Sequence, residues 1–456
     1  MDKKNEYKRA LHLIDNWLDF QVYIKEIPGA AIEVFVEDEV VFKKEYGYAN
    51  LEDQVKLTDQ HLFRIASQSK LFTATAIMKL YHENKLSLDD RVSKHLPWFT
   101  SEKDNNLQNI CIHHLLTHSS GITCDGNTAH WTNHDSPSLE EIKQQIKEGV
   151  SVFKTSENIK YSNFGYAVLG QIVEAVSGQS YEEYIQKTIL EPLKMKNTVI
   201  DVDQDNLAKH ATGYKIKLPR HEREPIEHFP AKVMRAAAGL SSTSEDLIKF
   251  FRAHMYGNTD LLLDNIKREM QRVQVNHDGD KRGLGFEIAE YPGGEIVVYH
   301  SGGYPGFKSL SGLNQKDRAI LVVLSNAADG LNYSWFNAIT TMFSHLANRK
   351  GELEQHEGEE EPDFSDLTGF YAATERGFAL ISQVGSKLVL VSPDADNPAS
   401  TIQILKHEKG HTFITPGGHP FTALGEKIKF VDGQDGEKIL IDHHGGEAKK
   451  FKIFHD

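Results

Sequence analysis

A serine and a lysine three residues apart stand where a long apolar segment begins. Ser67 and Lys70 form the pattern Ser-x-x-Lys, and Leu71 and Phe72 follow at once. Residues i and i+3 share one face of a helix, so the Ser67 hydroxyl and the Lys70 amine are predicted to lie within proton-transfer distance. Apolar neighbours lower the pKa of a lysine toward the range in which it accepts a serine proton. The pattern therefore indicates an activated serine nucleophile.

The same pattern occurs a second time, at Ser151 and Lys154. A chain of this size contains such short matches by chance, so the pattern alone is weak evidence. The second copy lies in a polar stretch with no long apolar helix behind it. We interpret it as coincidental, and the case for Ser67 depends on what accompanies it.

Two further motifs lie later in the chain. Tyr161 and Asn163 stand at the start of a predicted helix at 164–176, and the residues His-Ser-Gly-Gly occupy 300–303 after a predicted strand at 295–299. A tyrosine hydroxyl can exchange protons, an asparagine amide both donates and accepts hydrogen bonds, and a glycine lets a ligand approach the backbone closely.

The three motifs, in this order, resemble the serine β-lactamase-like hydrolases, especially the group of class C β-lactamases, DD-peptidases, D-aminopeptidases and related esterases. In that family Ser-x-x-Lys is followed by Tyr-x-Asn and then by a Lys-Thr-Gly-like triplet on a sheet edge. Further stretches similar to the family lie at 46–49, 86–90, 115–121, 237–240 and 283–286. The resemblance covers about residues 10 to 345.

The resemblance implies a role for most of these residues. Ser67 would be the nucleophile that forms an acyl-enzyme, and Lys70 and Tyr161 would share the acid and base work, with the first proton acceptor left open. Asn163 would orient Lys70 or a substrate amide. The backbone N–H groups of Ser67 and Gly303 would stabilise the oxyanion, and the missing side chain of Gly303 would let substrate approach the strand.

The third motif departs from the family pattern in its first residue. His300 stands where β-lactamases have lysine, and Ser301 and Gly302 complete the triplet, which is expected to contact substrate. A histidine titrates near about 6.5, so a substrate carboxylate is predicted to be held weakly and in a pH-dependent way. This argues against an efficient β-lactamase. The resemblance implies that relatives with His-x-Gly are peptidases and amidases, including ones that act at D-amino acids.

The elements that must position these motifs predict an α/β (α+β) fold, with strands at both ends of the first domain and helices between them. By resemblance, this is a sheet flanked by helices with an all-helical subdomain. The predicted helices lie at 4–22, 67–83, 164–176, 180–190, 243–255 and 333–347, and the predicted strands at 30–36, 40–46, 285–290, 295–299, 307–313 and 319–325.

A Glu-rich segment divides the chain. Residues 351–362 have almost no apolar side chains and are predicted to be a solvated linker between a hydrolase domain at 1–350 and a second domain at 363–456. The second domain alternates about eight short β-rich runs with turns, which is typical of a small barrel. It resembles the lipocalin-like barrels appended to some family members, where such a domain caps the site, selects substrate, mediates assembly or only stabilises the protein.

Composition excludes several other classes of protein. The 456 residues include 51 Lys plus Arg against 65 Asp plus Glu, a net charge of −14, so no nucleic-acid partner is expected. The longest aliphatic run has six residues, at 319–324, which predicts no transmembrane segment. The charged N-terminus predicts a cytoplasmic protein, or a secreted one if a signal peptide has been removed. Cys111 and Cys124 are expected to be reduced thiols.

A cluster of metal-ligand residue types needs separate treatment. Residues 111–134 include two cysteines, five histidines and an aspartate, but they contain neither a Cys-x-x-Cys nor a His-Glu-x-x-His motif. We therefore predict no metal and no cofactor. No Gly-x-Ser-x-Gly elbow and no phosphate-binding Gly-x-x-x-x-Gly-Lys motif is present in the sequence.

These observations favour a serine peptidase, amidase or esterase that acts on a small-molecule or peptide substrate. A true β-lactamase or penicillin-binding protein is one alternative, and a catalytically idle scaffold of the same fold is another. Association into a homo-oligomer stays open.

Overall fold

The computed structural model describes residues 3–291, 294–353, 363–374, 376–434 and 436–453. By contacts, the chain divides into two compact units. One unit is Pro28–Asn332, and the other combines Met1–Ile27 with Tyr333–Asp456. Each unit is described by itself below.

The first part of the chain mixes helices and strands, and the last part consists mainly of strands. The strands are β1 (Gly29–Val36), β2 (Glu39–Asn50), β3 (Val55–Lys56), β4 (Phe63–Arg64), β5 (Gly213–Tyr214), β6 (Pro225–Ile226), β7 (Ser241–Ser242), β8 (Val275–His277), β9 (Asp280–Arg282), β10 (Glu287–Glu290), β11 (Ile296–Tyr304), β12 (Phe307–Asn314), β13 (Ala319–Ser325), β14 (Gly369–Ala373), β15 (Gly377–Val384), β16 (Lys387–Val391), β17 (Gln403–Ile404), β18 (Lys406–Lys409), β19 (Thr412–Ile414), β20 (Lys427–Asp432), β21 (Lys438–Ile441) and β22 (Glu447–Phe451). The helices are α1 (Lys3–Ile24), α2 (Ser69–His82), α3 (Val92–His95), α4 (Ile112–Leu116), α5 (His130–Asn133), α6 (Leu139–Glu148), α7 (Asn163–Ser177), α8 (Tyr181–Ile185), α9 (Arg235–Ala238), α10 (Ser244–Ala253), α11 (Asp264–Gln271), α12 (Asn332–Asn348) and α13 (Lys350–Leu353).

The first unit is built on an antiparallel sheet. In its described part, nine strands have the order β3-β2-β1-β13-β12-β11-β10-β9-β8. Strand β13, with the sequence AILVVLS, is buried along its whole length and pairs with β1 from the other end of the unit. The prediction that both ends of the unit share one sheet is therefore confirmed. Strand β11 pairs with β12 along the His-Ser-Gly-Gly motif, whereas β10 pairs only with residues 296–299, so among the described strands the motif has a partner on one side.

The helices of the first unit surround α2 and α7. Helix α2 is apolar nearly all round and buried, and α7 contacts α2, α3, α4, α8 and α9. Helix α7 begins where the Ser162 hydroxyl accepts a hydrogen bond from the Gly165 N–H, and it ends at Gly178 in the left-handed conformation. Packing of α2 on α7 brings the first two sequence motifs together.

The second unit contains a nearly closed antiparallel barrel. Among its described residues the strand order is β17-β16-β15-β14-β22-β21-β20-β19-β18, around a core that includes Tyr371, Phe413 and Phe430. This confirms the lipocalin-like prediction. Helix α1 belongs to this unit because Phe20 packs against Phe370 and Phe378.

The structure groups the helices near the linker differently from the division at 350 and 363 that the sequence predicts. By contacts, α1 and nearly all of α12 belong with the barrel. Of the predicted linker, 351–353 lie in α13, and 354–362 lie outside the described residues. The linker and its boundaries stay a prediction. In the described part of the chain, every helix is too short or too polar to span a bilayer.

Candidate active site

Ser67 lies on a short 3-10 turn, Ala66–Gln68, that leads into α2. The sequence predicted a regular helix from this residue. Ala66 instead has a φ of +52°, a left-handed conformation that costs a non-glycine residue about 1–3 kcal/mol. The Ser69 hydroxyl holds the turn, since it donates to the Ala66 carbonyl at 2.6 Å and accepts the Leu240 N–H at 3.0 Å.

Lys70 lies directly beneath Ser67 and is completely buried. Its Nζ donates to Ser67 Oγ at 3.1 Å, to Asn163 Oδ1 at 2.6 Å and to the Ala237 carbonyl at 2.9 Å. Burial lowers the pKa of Lys70 to about 7, against the Asp125 carboxylate, which favours the charged form. The predicted approach of Ser67 and Lys70 is present, and the amine is poised to gain or lose a proton near neutral pH.

Tyr161 completes a triangle with these two groups. Lys70 Nζ lies 4.7 Å from the centre of its ring, and the nearby Ser67 side chain favours the ionised form of its hydroxyl. Burial raises the pKa of Tyr161 above its ordinary value, which keeps the hydroxyl protonated. The His118 ring packs on the Tyr161 ring with centroids 4.4 Å apart, and its Nδ1 accepts the Ser162 N–H at 3.1 Å.

Asn163 links Lys70 to a carboxylate that sequence analysis did not select. Its Nδ2 donates to Asp125 Oδ1 at 2.7 Å, and Trp131 Nε1 donates to the same oxygen at 2.9 Å. Burial raises the pKa of Asp125, but hydrogen bonds from Cys124, Asn163 and Trp131 outweigh it and hold the pKa below its ordinary value. Asp125 is therefore an anion that fixes the amide of Asn163 so that its oxygen faces Lys70.

The third motif begins with a buried histidine. His300 has 1% of its surface exposed, and its Nδ1 lies 2.6 Å from the Ser301 carbonyl. Burial lowers the pKa of His300 to about 4, against the nearby Glu287 carboxylate. The lowered pKa favours a neutral imidazole at physiological pH. The pH-dependent hold on a substrate carboxylate stays a prediction. The Ser301 hydroxyl donates to Glu287 Oε1 at 3.3 Å.

The two glycines of the motif have different surroundings. A Cβ at Gly302 would lie 2.2 Å from the Ile65 carbonyl oxygen and 2.4 Å from Ser309 Oγ, so the bare backbone lets β11 pack against the segment that carries Ser67. At Gly303 a Cβ would meet only the end of the Lys308 side chain, 3.2 Å away. Gly303 therefore faces open space beside Ser67.

Four of the predicted residues, Ser67, Tyr161, Asn163 and Gly303, line one cavity of about 420 Å³. Its lining comprises Ser67, Trp131, Tyr161, Asn163, Ala238, Gly303, Tyr304, Pro305, Lys308 and Ala328. Lys70 lies below Ser67, whereas His300, Ser301 and Gly302 precede Gly303 on β11 and are not part of this lining. The cavity combines polar side chains, among them the hydroxyls of Ser67 and Tyr161, with apolar and aromatic walls, a mixture found in small-molecule sites.

Several residues in or next to the cavity carry no recognisable sequence signal. Asp125 and Trp131 fall in the histidine- and cysteine-rich segment that was considered for metal binding, and in the structure Asp125 binds Asn163 instead. Among the described residues, no three His, Cys, Asp or Glu side chains form a group that could hold a metal ion. The spacing of Tyr304 and Lys308 from Gly303 could have selected them only with the β11–β12 register known.

We expect kcat/KM to rise as Lys70 loses its proton. If the neutral amine accepts the Ser67 proton, kcat/KM should fall about tenfold per pH unit below the Lys70 pKa of about 7 and reach a plateau above it. If the Tyr161 phenolate were the acceptor, the rate would still rise beyond pH 9, because the pKa of Tyr161 is raised. A pH profile of kcat/KM with a neutral ester distinguishes the two, and continued rise beyond pH 9 would contradict Lys70 as the base.

Asp125→Asn is expected to move that profile. Loss of the carboxylate removes an attraction for the ammonium, so the acid limb should shift to lower pH by about one unit while the plateau falls. The exposed Asp260→Asn is the matched control and should leave the profile unchanged. A lower plateau without a shifted limb would reduce Asp125 to a purely structural role.

Comparisons with known proteins found a matching family model and several relatives. A family model described as Beta-lactamase matches residues 15–334. The chain is 30% identical over 322 residues to Protein flp of Staphylococcus aureus (strain MW2), a match that covers 69% of this chain but only 62% of flp. It is 27% identical over 429 residues to Penicillin-binding protein 4* of Bacillus subtilis (strain 168), covering 90% of this chain and 92% of that protein.

Solved structures share the fold. An octameric penicillin-binding protein homologue from Pyrococcus abyssi superposes with a TM-score of 0.65 at 24% identity, covering 96% of this chain and 100% of the other. A class C beta-lactamase gives 0.63 at 22% identity over 73% of this chain and 94% of the other, and a D-stereospecific amidohydrolase from Streptomyces sp. gives 0.59 at 22% identity over 69% and 94%. The stretch matched by the family model contains every residue of the cavity, and the chain therefore belongs to the β-lactamase family.

Proposed function

We propose that the chain is a serine hydrolase that cleaves an ester or amide bond, peptide bonds included, through an acyl-enzyme on Ser67. The observation that carries this proposal is the 3.1 Å hydrogen bond between the buried Lys70 Nζ and Ser67 Oγ. A neutral Lys70 can accept the serine proton while its two N–H bonds stay donated to Asn163 and Ala237.

The proton path follows from the triangle of side chains. Ser67 Oγ attacks the carbonyl carbon, and its proton passes to Lys70. The backbone N–H groups of Ser67 and Gly303 would stabilise the oxyanion that forms. The Tyr161 hydroxyl gives its proton to the leaving alkoxide or amine and regains one from Lys70. Water then attacks the acyl carbon by the same proton transfers in reverse, which releases the acid and restores Ser67.

The cavity and the relatives support a small or peptide-like substrate. Trp131 and Tyr304 give the cavity an aromatic wall, and about 420 Å³ accommodates one or two amino-acid residues or a small ester. The names of relatives include a penicillin-binding protein and a D-stereospecific amidohydrolase, which supports amide substrates among the candidates.

A substrate panel tests the proposal. Short-chain esters, D-amino acid amides, peptides and a penicillin are incubated with the wild type, Ser67→Ala and the control Ser151→Ala, whose serine lies in the second copy of the motif. We expect turnover of an ester or amide that falls about a thousandfold or more in Ser67→Ala and persists in Ser151→Ala. Turnover that survives in Ser67→Ala would contradict the proposal.

The same panel separates the alternatives. Penicillin turnover faster than that of every ester and amide would favour a true β-lactamase. Stable acylation by penicillin without turnover would favour a penicillin-binding protein. Absence of both turnover and covalent labelling by a serine-reactive fluorophosphonate would favour an idle scaffold.

Self-association is a separate proposal. The Pyrococcus abyssi relative is described as octameric, and it matches nearly the whole length of this chain. We expect this chain also to form a homo-oligomer, and light scattering coupled to gel filtration measures its mass directly. A monomeric mass at high protein concentration would contradict self-association and leave the hydrolase proposal untouched.

A further inference from the structure

A lysine ammonium stands at the cavity beside Gly303. Lys308 is the second residue of β12 and is the register partner of Gly303 on β11. A Cβ at Gly303 would lie 3.2 Å from Lys308 Nζ and 3.8 Å from its Cδ, so the lysine stem lies along the bare glycine. Within the described part of the chain, the ammonium makes no ion pair and no hydrogen bond.

The rest of the lining does not balance this charge. Its other described members are neutral side chains, and no aspartate or glutamate is among them. Lys308 is half-buried, which strengthens its interaction with an anion relative to an ammonium in open solvent. An anionic group of a ligand would therefore gain a charge-assisted hydrogen bond here without breaking an existing ion pair.

The position of Lys308 fixes where such a group would lie. Its Nζ is adjacent to Gly303, whose backbone N–H is the proposed partner of the scissile carbonyl oxygen. His300, the residue expected to hold a substrate carboxylate, is buried, and burial lowers its pKa. A single ammonium matches a singly charged group, and no arginine stands in the described lining to balance a second charge.

We propose that Lys308 binds a carboxylate of the substrate, close to the bond that Ser67 attacks. This inference rests on the proposed hydrolase function and narrows it: the preferred substrates are esters or amides that carry a free carboxylate near the scissile bond. The carboxylate belongs either to the leaving group, as in a peptide cut at its C-terminal residue, or to the acyl part.

Two pairs of synthetic esters distinguish these positions. Phenyl acetate and 3-carboxyphenyl acetate differ by a carboxylate on the leaving group, and 4-nitrophenyl phenylacetate and its 4-carboxy derivative differ by one on the acyl part. For each pair we measure the ratio of kcat/KM between the carboxylate and the neutral ester. In the wild type this ratio should favour the carboxylate in one pair and decrease with salt, since salt screens the ion pair.

Variants assign the effect to Lys308. We expect Lys308→Met to lower the ratio about tenfold or more in that pair, mainly through KM, and Lys308→Arg to retain most of it. Lys316→Met, an exposed lysine in the following turn, is the control and should keep the wild-type ratio. A ratio that Lys308→Met leaves unchanged in both pairs would overturn the inference.

Binding measured without catalysis separates this inference from the hydrolase proposal. Titrations with 3-carboxyphenyl acetate and with the 4-carboxy ester compare Ser67→Ala with the double variant that also carries Lys308→Met. The double variant should bind one of the two esters more weakly. Lys308-dependent binding in a protein without Ser67-dependent turnover would overturn the hydrolase proposal alone. Turnover with neither binding nor selectivity dependent on Lys308 would overturn this inference alone, and loss of both would overturn both.

Discussion

Lys70→Met is expected to lower kcat/KM by about a thousandfold or more, because it removes the group that we propose accepts the Ser67 proton and returns a proton to Tyr161. Methionine has a similar length and no charge, so the buried space stays filled. Lys79→Met on the same helix is the matched control, because Lys79 is not among the residues that line the cavity. The activity of this variant should stay within about twofold of the wild type. A Lys70→Met variant that retains a tenth of the activity would contradict the proton path.

The same substitution should change how stability depends on pH. Lys70 has a pKa of about 7 in the folded chain and near about 10.4 when unfolded, so between these values the unfolded chain holds the extra proton. Lys70 therefore makes the free energy of unfolding rise with pH across this window. From pH 7 to 9.5 its contribution is about 3 kcal/mol. Denaturant unfolding of both proteins should show this gain in the wild type relative to Lys70→Met, and parallel curves would contradict a buried, titrating lysine.

Gly302→Ala is expected to disrupt the site through packing alone. The added Cβ would lie 2.2 Å from the Ile65 carbonyl oxygen, which already accepts the Ser309 hydroxyl at 2.8 Å. The added Cβ would have the Ile65 backbone on one side and the hydrogen-bonded Ser309 hydroxyl on the other. Neither group is a flexible side chain that could move away. Strand β11 must therefore shift from the segment that leads to Ser67, at a cost of about 1–3 kcal/mol in stability.

The activity of Gly302→Ala should fall about a hundredfold or more, because a displacement of about 1 Å between Ser67 and the β11 backbone is enough for such a loss. Gly303→Ala is the control for adding a methyl group on the same strand, because the new Cβ would meet only the end of the Lys308 side chain. The melting temperature of this variant should therefore match that of the wild type. Both are measured by thermal melting and ester turnover. Wild-type melting and activity in Gly302→Ala would contradict the close approach of β11 to Ile65.

Local spacing was sufficient to predict the contact between Ser67 and Lys70 and the frame that holds it. Ser67 and Lys70 lie on one side of a single turn, so their 3.1 Å contact follows from a separation of three residues. The all-buried β13 and the strands at both ends of the unit likewise predicted a shared sheet. The short-range pattern could not show that the first turn is a 3-10 turn after a left-handed Ala66, because that conformation depends on Ser69 and Leu240.

Groups brought in by tertiary structure could not be predicted in the same way. Asp125 lies 38 residues from Asn163 and meets it only because α7 packs beside the preceding loop. Lys308 reaches the cavity through a strand register, and the low pKa of His300 results from burial that its ordinary titration range does not reveal. These residues set the proton affinity and charge of the site.

Covalent trapping on Ser67 tests the central claim most directly. The protein is treated briefly with a fluorophosphonate or a 4-nitrophenyl ester, its mass is measured intact, and the modified peptide is sequenced by mass spectrometry. We predict one adduct per chain on Ser67, its absence in Ser67→Ala, and much slower formation in Lys70→Met. An adduct on another residue, or equal labelling of the wild type and Ser67→Ala, would contradict the assignment of Ser67 as the nucleophile.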